Sequence, residues 1–194
     1  MSAHIPLARG DSKLVLHHVG KEGRELLHAC EDVKALLDRY PKIMMYGKEV
    51  CQRRSVGFFS DFSGGYRYSR SIAKAKPMTP ELQALLDFVN QLLSSNFNGI
   101  LVNYYESGDD YISKHSDDEQ GLDPVAGVAA LSLGSERKFR IRDKESNEIL
   151  LDLPTREEEL IQMTGSFQRL FTHEIPKQKN VGWRMSFTFR LHKD

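Results

Sequence analysis

The chain has 194 residues, 40% of them hydrophobic and 28% charged, which is enough for one domain with a real core and short for two. Lys+Arg and Asp+Glu both number 27, so a uniformly basic, histone-like packager of nucleic acid is excluded, while a local basic patch is not. Two cysteines, Cys30 and Cys51, cannot build a zinc finger or a disulfide scaffold and fit a reduced, intracellular protein, in nucleus or cytoplasm.

From the N-terminus, MSAHIPLARGDSK lacks the apolar centre of a signal peptide, and no apolar run is long enough to span a membrane. The first predicted helix is Lys21 to Tyr40, with Leu26, Cys30, Val33 and Leu37 at helical spacing and Pro41 as the stop. Residues 42–77 differ in texture. They hold eight bases (Lys42, Lys48, Arg53, Arg54, Arg67, Arg70, Lys74, Lys76) against two acids (Glu49, Asp61), a local charge of +6. Tyr46, Phe58, Phe59, Phe62, Tyr66 and Tyr68 are interleaved with them. Such a mixture suits nucleic acid, where cations meet phosphates and rings stack on bases; it equally describes a solvated face over core aromatics. A second helix, Pro80 to Leu93, has Thr79 as N-cap, Pro80 at the first helical position and Glu81 at the positive end of the helix dipole.

After Asn98-Gly99 the pattern turns to strands: Ile100 to Tyr105, Val125 to Leu133, Lys138 to Ile141, Glu148 to Leu153, Leu160 to Thr164, Phe167 to Thr172 and Met185 to Leu191. Short strands separated by glycines predict a β-sandwich or barrel, with two helices packed on it. No linker divides the chain, so residues 1–194 read as one domain, and nothing in it requires an oligomer.

Two stretches carry chemistry. In YISKHSDDEQG, His115 and Asp117 are two apart, so at strand spacing both side chains leave the same side of the backbone and can reach one ion. His173, in FQRLFTHEIP, is a candidate third ligand. Two imidazoles and one carboxylate on one face of a metal leave positions open for a bidentate co-substrate and O₂, which suits Fe(II). An H-x-D pair by itself is far more often surface polarity. In the terminal strand RMSFTFR, Arg184, Ser186, Thr188 and Arg190 share one face, and Met185, Phe187, Phe189 and Leu191 the other. The apolar face must enter the core, which turns two guanidinium groups inward or into a cleft. That is costly unless anions meet them, and a dicarboxylate matches the planar fork of Arg. Asn103 and Tyr105 share a face of their own strand and offer further donors.

Taken in order, N-x-Y (Asn103/Tyr105), H-x-D-D-E (His115–Glu119), S-L-G-x-x-R-x-F-x-I-R (Ser132–Arg142), H-x-I-P (His173–Pro176) and R-x-S-x-T-x-R (Arg184–Arg190) resemble the AlkB-like Fe(II)/2-oxoglutarate dioxygenases. The resemblance runs from about residue 50 to 191 and is closest to the eukaryotic nucleic-acid demethylase branch. It implies an α+β, mainly β fold: a double-stranded β-helix, or jelly roll, buttressed by the N-terminal helices. It implies His115, Asp117 and His173 as ligands of Fe(II), with 2-oxoglutarate and O₂ as co-substrates. Arg184, Asn103 and Tyr105 would hold the distal carboxylate of 2-oxoglutarate, and Arg190 and Ser186 the end near the metal. Relatives often carry Asn where this chain has the shorter Ser186.

The implied reaction is oxidative demethylation of N-alkylated bases, of the N1-methyladenine and N3-methylcytosine type, in DNA or RNA, with release of formaldehyde, succinate and CO₂. The base must be flipped out of a duplex or come from a single strand. Residues 42–77 would be the nucleotide-recognition lid. Tyr68 would stack on the base opposite His115, Tyr66 and Arg54 would line the lid, and Asp118 or Glu119 would accept from an exocyclic amine. The acids around the metal motif (Glu106, Asp109, Asp110, Asp117, Asp118, Glu119, Asp123) would favour a cationic base. The expected partner is nucleic acid, with no membrane and no second copy. The alternative reading is a 2-oxoglutarate oxygenase acting on a protein or small molecule.

Overall fold

Among the described residues, fifteen strands, three α-helices and a 3-10 helix order the chain, beginning with β1 (Ser2–Ile5) and β2 (Lys13–His18), which pair antiparallel. The computed structural model describes every residue except 1, 8, 46, 69, 70, 120, 124 and 194, and only the backbone of 45, 66–68 and 71–73. Neither N-terminal strand is conspicuous in the sequence, because β2 offers only Leu14, Val15 and Leu16 as an apolar run. It is held as a strand by its partner, residues Glu159–Thr164, with Leu160 opposite His17 and Met163 opposite Leu14.

The first helix, α1 (Gly20–Ala29), is shorter than the spacing predicts. Residues Glu31–Leu36 tighten into a 3-10 helix, and Leu37 is extended. The cause is visible in the bonds: Cys30 N–H reaches Leu27 O at 3.1 Å, and Val33 N–H reaches Cys30 O at 3.1 Å, both i→i−3. That period aligns Leu27, Cys30 and Val33 in the core and leaves Leu36 exposed. Asp38 then bridges Val56 through paired backbone bonds of 2.9 and 3.0 Å, so the chain joins a sheet before Pro41 is reached.

Five strands follow: β3 (Lys42–Met45), β4 (Lys48–Cys51), β5 (Ser55–Phe59), β6 (Gly65–Tyr68) and β7 (Ser71–Lys76). The second helix, α2 (Pro80–Leu93), agrees with its signals: Thr79 Oγ1 accepts from Leu82 N–H at 3.2 Å, and Ser94 closes the other end in the left-handed region. Then come β8 (Gly99–Tyr105), β9 (Ile112–His115), β10 (Val128–Gly134), β11 (Lys138–Asp143), β12 (Ile149–Pro154), β13 (Glu159–Thr164), the helical turn α3 (Phe167–Leu170), β14 (Phe171–Ile175) and β15 (Arg184–Arg190).

Two predicted strands are corrected. The one at Val125 starts three residues later, because Asp123 Oδ1 accepts from Val125 N–H and Ala126 N–H at 2.7 and 3.2 Å and makes a turn there. The one at Phe167 begins as α3: Leu170 N–H and Arg169 N–H both reach Ser166 O, and Phe167 meets Phe171 at i+4 with ring centroids 5.3 Å apart.

The major sheet has nine strands in the order β1-β2-β13-β10-β15-β8-β5-β7-β6, and the minor sheet four, β12-β11-β14-β9. Among the described residues only β5 and β7 pair in parallel; β3 and β4 form a separate hairpin. This is the jelly-roll sandwich, mainly β with helices on one side. One core lies between the helices and the major sheet, where Leu27, Leu85 and Val89 meet Val102, Leu131, Phe187 and Phe189. The second lies between the sheets and includes Leu14, Phe139, Ile141, Phe167 and Phe171. Strand β15 is central, flanked by β8 and β10, and every residue in it is buried. Its alternation therefore sends Met185, Phe187 and Phe189 to the helical side and Arg184, Ser186, Thr188 and Arg190 between the sheets. No helix among the described residues is long and apolar enough to cross a membrane.

Candidate active site

Register brings the site together. On the minor sheet β14 pairs with β9 so that His173 stands opposite His115. Asp117 lies just past the end of β9, and its N–H donates to Gln168 Oε1 of α3 at 2.8 Å. His115, Asp117 and His173 place one ligand atom each within 4.8 Å of one another. On the major sheet β15 pairs with β8 so that Arg184 faces Tyr105 and Ser186 faces Asn103. The two sets enclose a narrow cavity of about 50 Å³, which they line with Arg54, Thr188 and Arg190 among others.

The lone pairs at the triad converge without protons between them. His115 Nδ1 lies 2.9 Å from Ser113 O, an acceptor only, so Nδ1 carries the proton and Nε2 presents a lone pair. That Nε2 is 3.9 Å from Asp117 Oδ1. His173 Nε2 is 3.5 Å from Asp117 Oδ2, which accepts no hydrogen bond. Burial first, and His115 second, push the His173 imidazole down to about 3. Burial likewise holds the His115 imidazole below its usual value. Burial opposes ionisation of Asp117, yet Arg190 first, then His173, holds its carboxyl below the usual carboxylate range. Two neutral imidazoles and a carboxylate facing one point repel unless a cation lies between them. The donor set thus fits a divalent first-row metal, and its mixed N/O character fits Fe(II). His173 is oriented by stacking, since its ring lies 5.1 Å from that of Phe139 at 21°.

At the opposite end Arg184 is 3% exposed. Its Nη2 donates to Ser132 Oγ at 2.8 Å and its Nε to Thr155 Oγ1 at 3.3 Å, while Nη1 has no hydrogen-bond partner among the described residues. The guanidinium carbon stands 5.3 Å from the Tyr105 ring centre. Burial lowers the Arg184 pKa to about 10, so it remains charged at neutral pH. A buried cation held by two hydroxyls and a ring, with no acid bonded to it, fits the carboxylate of a ligand. Arg190 differs: its Nη2 donates to Asp117 Oδ1 at 2.5 Å, so it already meets an anion.

The remaining expected residues separate. Asn103, Tyr105 and Ser186 all line the cavity, with Ser186 facing Asn103 in register. Arg54 lines it too, 5% exposed, its Nε donating to Asn103 Oδ1 at 2.7 Å, deeper than a lid residue would be. Asp118 is exposed and accepts from Lys144 Nζ at 2.9 Å; neither it nor Glu119 lines the cavity. The side chains of Tyr66 and Tyr68 lie outside the described residues, as do Tyr46 and Arg70. The expected acidic pocket is dispersed. Glu106 and Asp110 accept from Tyr40 Oη at 2.9 and 3.1 Å, Asp123 pairs with Lys193 at 3.3 Å, and only Asp117 of the acids named lines the cavity.

Arg137 is a residue that spacing did not single out. It is 1% exposed, and its guanidinium donates to Ser107 O, Asp110 O and Pro176 O at 3.2, 2.9 and 2.8 Å. It also lies 5.8 Å from the Tyr105 ring centre. It thereby ties the β8–β9 loop to the segment after β14. The sequence held a signal in R-x-F, the Arg two residues before the Phe that stacks on His173.

Comparisons with known proteins agree with this geometry. The profile of the 2OG-Fe(II) oxygenase superfamily matches residues 14–190. The human protein named DNA oxidative demethylase ALKBH2 is 28% identical over 178 residues, covering 87% of this chain and 68% of its own. Its Arabidopsis thaliana namesake is 30% identical over 181 residues, covering 78% and 57%. The mouse alpha-ketoglutarate-dependent dioxygenase alkB homolog 3 is 32% identical over 135 residues, covering 64% and 47%. Among solved structures, that of OsALKBH1 superposes with a TM-score of 0.61 over 98% of this chain and all of that one, at 16% identity, which supports the fold.

Proposed function

The chain belongs to the 2OG-Fe(II) oxygenase superfamily, and from that premise we propose that it oxidatively demethylates N-methylated bases in nucleic acid. The single observation that carries the chemistry is the convergence of His115, Asp117 and His173 on one point, with the unpartnered Nη1 of Arg184 at the other end of the same cavity. The substrate class rests on the relatives, whose names specify DNA oxidative demethylases, and on the basic, aromatic segment 42–77.

In this reading His115, Asp117 and His173 ligate Fe(II), and Arg184 with Tyr105 and Asn103 receives the distal carboxylate of 2-oxoglutarate. Arg190 and Ser186 steady the end nearer the metal. Bound iron and 2-oxoglutarate supply the oxidising power: O₂ and 2-oxoglutarate give succinate and CO₂, and the N-methyl group is hydroxylated and lost as formaldehyde. The protein's part is positioning. Arg190 holds Asp117 ionised and in place, Ser113 fixes the tautomer of His115, Phe139 fixes the plane of His173, and the two sheets exclude water. Residues 42–77 form the lid, with Tyr66 and Tyr68 stacking on the base. Asp118 or Glu119 accepts from an exocyclic amine. One copy carries every residue named, so the reading needs no oligomer, and it places the protein inside the cell with its nucleic acid.

The test is mass spectrometry of oligonucleotides carrying N1-methyladenine or N3-methylcytosine, as single-stranded DNA, duplex DNA and RNA, with Fe(II), ascorbate and 2-oxoglutarate. A loss of mass equal to one CH₂ unit that requires 2-oxoglutarate is expected. It should disappear in Asp117→Ala while oligonucleotide binding persists. No loss on any strand type, with succinate formation stimulated by a protein or small molecule instead, would keep the oxygenase and discard the nucleic-acid reading.

A further inference from the structure

Strand β9 ends at His115, so Asp117 is not placed by a sheet ladder. Residues 116–118 are held instead against α3 and the start of β14. Ser116 Oγ donates to Phe171 O at 2.9 Å, and Lys144 Nζ bridges Asp118 Oδ2 at 2.9 Å and Gln168 O at 3.3 Å. Between these contacts the Asp117 N–H donates to Gln168 Oε1 at 2.8 Å, and of the four bonds it is the one that ends on the ligand residue itself. The Gln168 amide is met on its other side by β13, its Nε2 lying 3.7 Å from Met163 Sδ. Phe167 and Phe171, both buried and four residues apart, anchor the turn that carries it. An extended chain over 167–170 would send Phe167 and Gln168 to opposite faces. The helical turn instead lets Phe167 enter the core while Gln168 reaches Asp117.

Asp117 is thereby held at two points from opposite sides of the site. Arg190, on the major sheet, donates to Oδ1, and Gln168, beside the minor sheet, takes the main-chain N–H. With the backbone and one oxygen fixed, Oδ2 is left facing His173 Nε2 at 3.5 Å, and it accepts no hydrogen bond among the described residues. Without the Gln168 acceptor the N–H would lose its partner, and the main chain would be free to turn. Arg190 would keep the oxygen it holds, and the other would swing away from the point on which the imidazoles converge. An amide is suited to this place, because it accepts without adding a second negative charge beside the triad. Resting on the metal reading and not on the substrate, we propose that Gln168 is a positioning residue, which fixes the main chain of Asp117 and so sets how tightly the triad holds its divalent metal.

The experiment titrates Mn(II) into the metal-free full chain, with free Mn(II) read by electron paramagnetic resonance. Gln168→Met, similar in length but without the acceptor, should bind Mn(II) about 10- to 100-fold more weakly than wild type, the range for partners that orient a metal's ligands. Gln168→Glu, whose carboxylate still accepts from the N–H, should recover to within about threefold of wild type. Unchanged affinity in Gln168→Met overturns the proposal. Equal weakening in both variants also overturns it, and marks Gln168 as packing for α3. A second measurement needs no variant: in the metal-free wild type the Asp117 amide, followed by NMR, should exchange with solvent at least about tenfold more slowly than a free peptide amide. Exchange at the free-peptide rate overturns the assignment even if Gln168→Met fails to fold. Wild-type affinity for Mn(II) no tighter than that of Asp117→Ala overturns the metal reading and this proposal with it.

Discussion

Arg184 is a residue whose cost and use are separable. In the ligand-free chain its charge is buried against Ser132, Thr155 and the Tyr105 ring, with no acid bonded to it. Replacing a buried charge by an apolar side chain of similar length is often neutral or stabilising. Arg184→Met should therefore keep or slightly raise the Tm of the ligand-free chain, and should raise the KM for 2-oxoglutarate by about two orders of magnitude, the worth of a charge-assisted bidentate pair. Thermal denaturation with and without 2-oxoglutarate checks both, since the ligand should stabilise wild type and leave the variant unmoved. His192 gives a pH prediction. Burial first, and Arg190 second, lower its imidazole pKa to about 4, from about 6.5 in an unfolded chain. Between those values the unfolded chain binds a proton that the folded chain refuses, so stability is complete above pH 6.5 and is lost as pH falls toward 4. The loss is about 2 kcal/mol at the acid end, after allowance for partial solvation. Urea denaturation at pH 7.5 and pH 5 should show a smaller acid penalty in His192→Gln than in wild type.

Between elements, Arg137 does the joining. Its three backbone carbonyls belong to the β8–β9 loop and to the segment after β14, which deliver Tyr105, His115 and His173 from two sheets. The loop itself is pressed close: a Cβ on Gly108 would lie 1.7 Å from Gln178 O, so only glycine admits the approach. Arg137→Lys keeps the charge but cannot span three acceptors. It should cost about 2–3 kcal/mol, by leaving buried carbonyls unmatched. It should also speed amide exchange in residues 106–111, readable by hydrogen–deuterium exchange. The contrast with the triad shows what a sequence makes legible. His115 and Asp117 announce themselves because a two-residue spacing is a local fact, although β9 ends at His115 and Asp117 reaches the site from just past it, and β15 does so because its alternation is unbroken over seven residues. Helix α2 is equally local, with Thr79 and Pro80 at its start. Arg54 and Arg137 are illegible at that level, since their places depend on which strand pairs with β8 and which loop passes β11. The same holds for α1, which gives way to a 3-10 helix so that residues 37 and 38 can reach β5, and for β2, a strand because β13 lies beside it.

For the molecule as a whole, a net charge of zero conceals a separation. Three arginines and one aspartate line the cavity, while the other acids near the metal motif pair outside it, as Asp110 does with Arg53 at 3.6 Å and Asp118 with Lys144 at 2.9 Å. The +6 of segment 42–77 is likewise partly spent within the protein. Lys42 meets Glu49 at 2.7 Å, Lys76 meets Asp38 at 3.1 Å, and Arg54 is inside the cavity. What faces solvent from this segment includes Lys48 on the separate β3–β4 hairpin and, at the end of the major sheet where β5, β7 and β6 lie, Lys74 on β7. Phosphate contacts release counterions, and each contributes about 0.7 to the slope of log affinity against log salt on a single strand. If these two lysines meet the phosphates, the double variant Lys48→Glu, Lys74→Glu should weaken oligonucleotide binding and reduce that slope by about 1.4. Turnover at saturating oligonucleotide should be spared, because neither lysine lines the cavity. Anisotropy titrations across a range of KCl measure the slope directly. A slope equal to that of wild type would mean that the strand lies elsewhere, and that the aromatics of 42–77 serve the sheet they cover rather than a base.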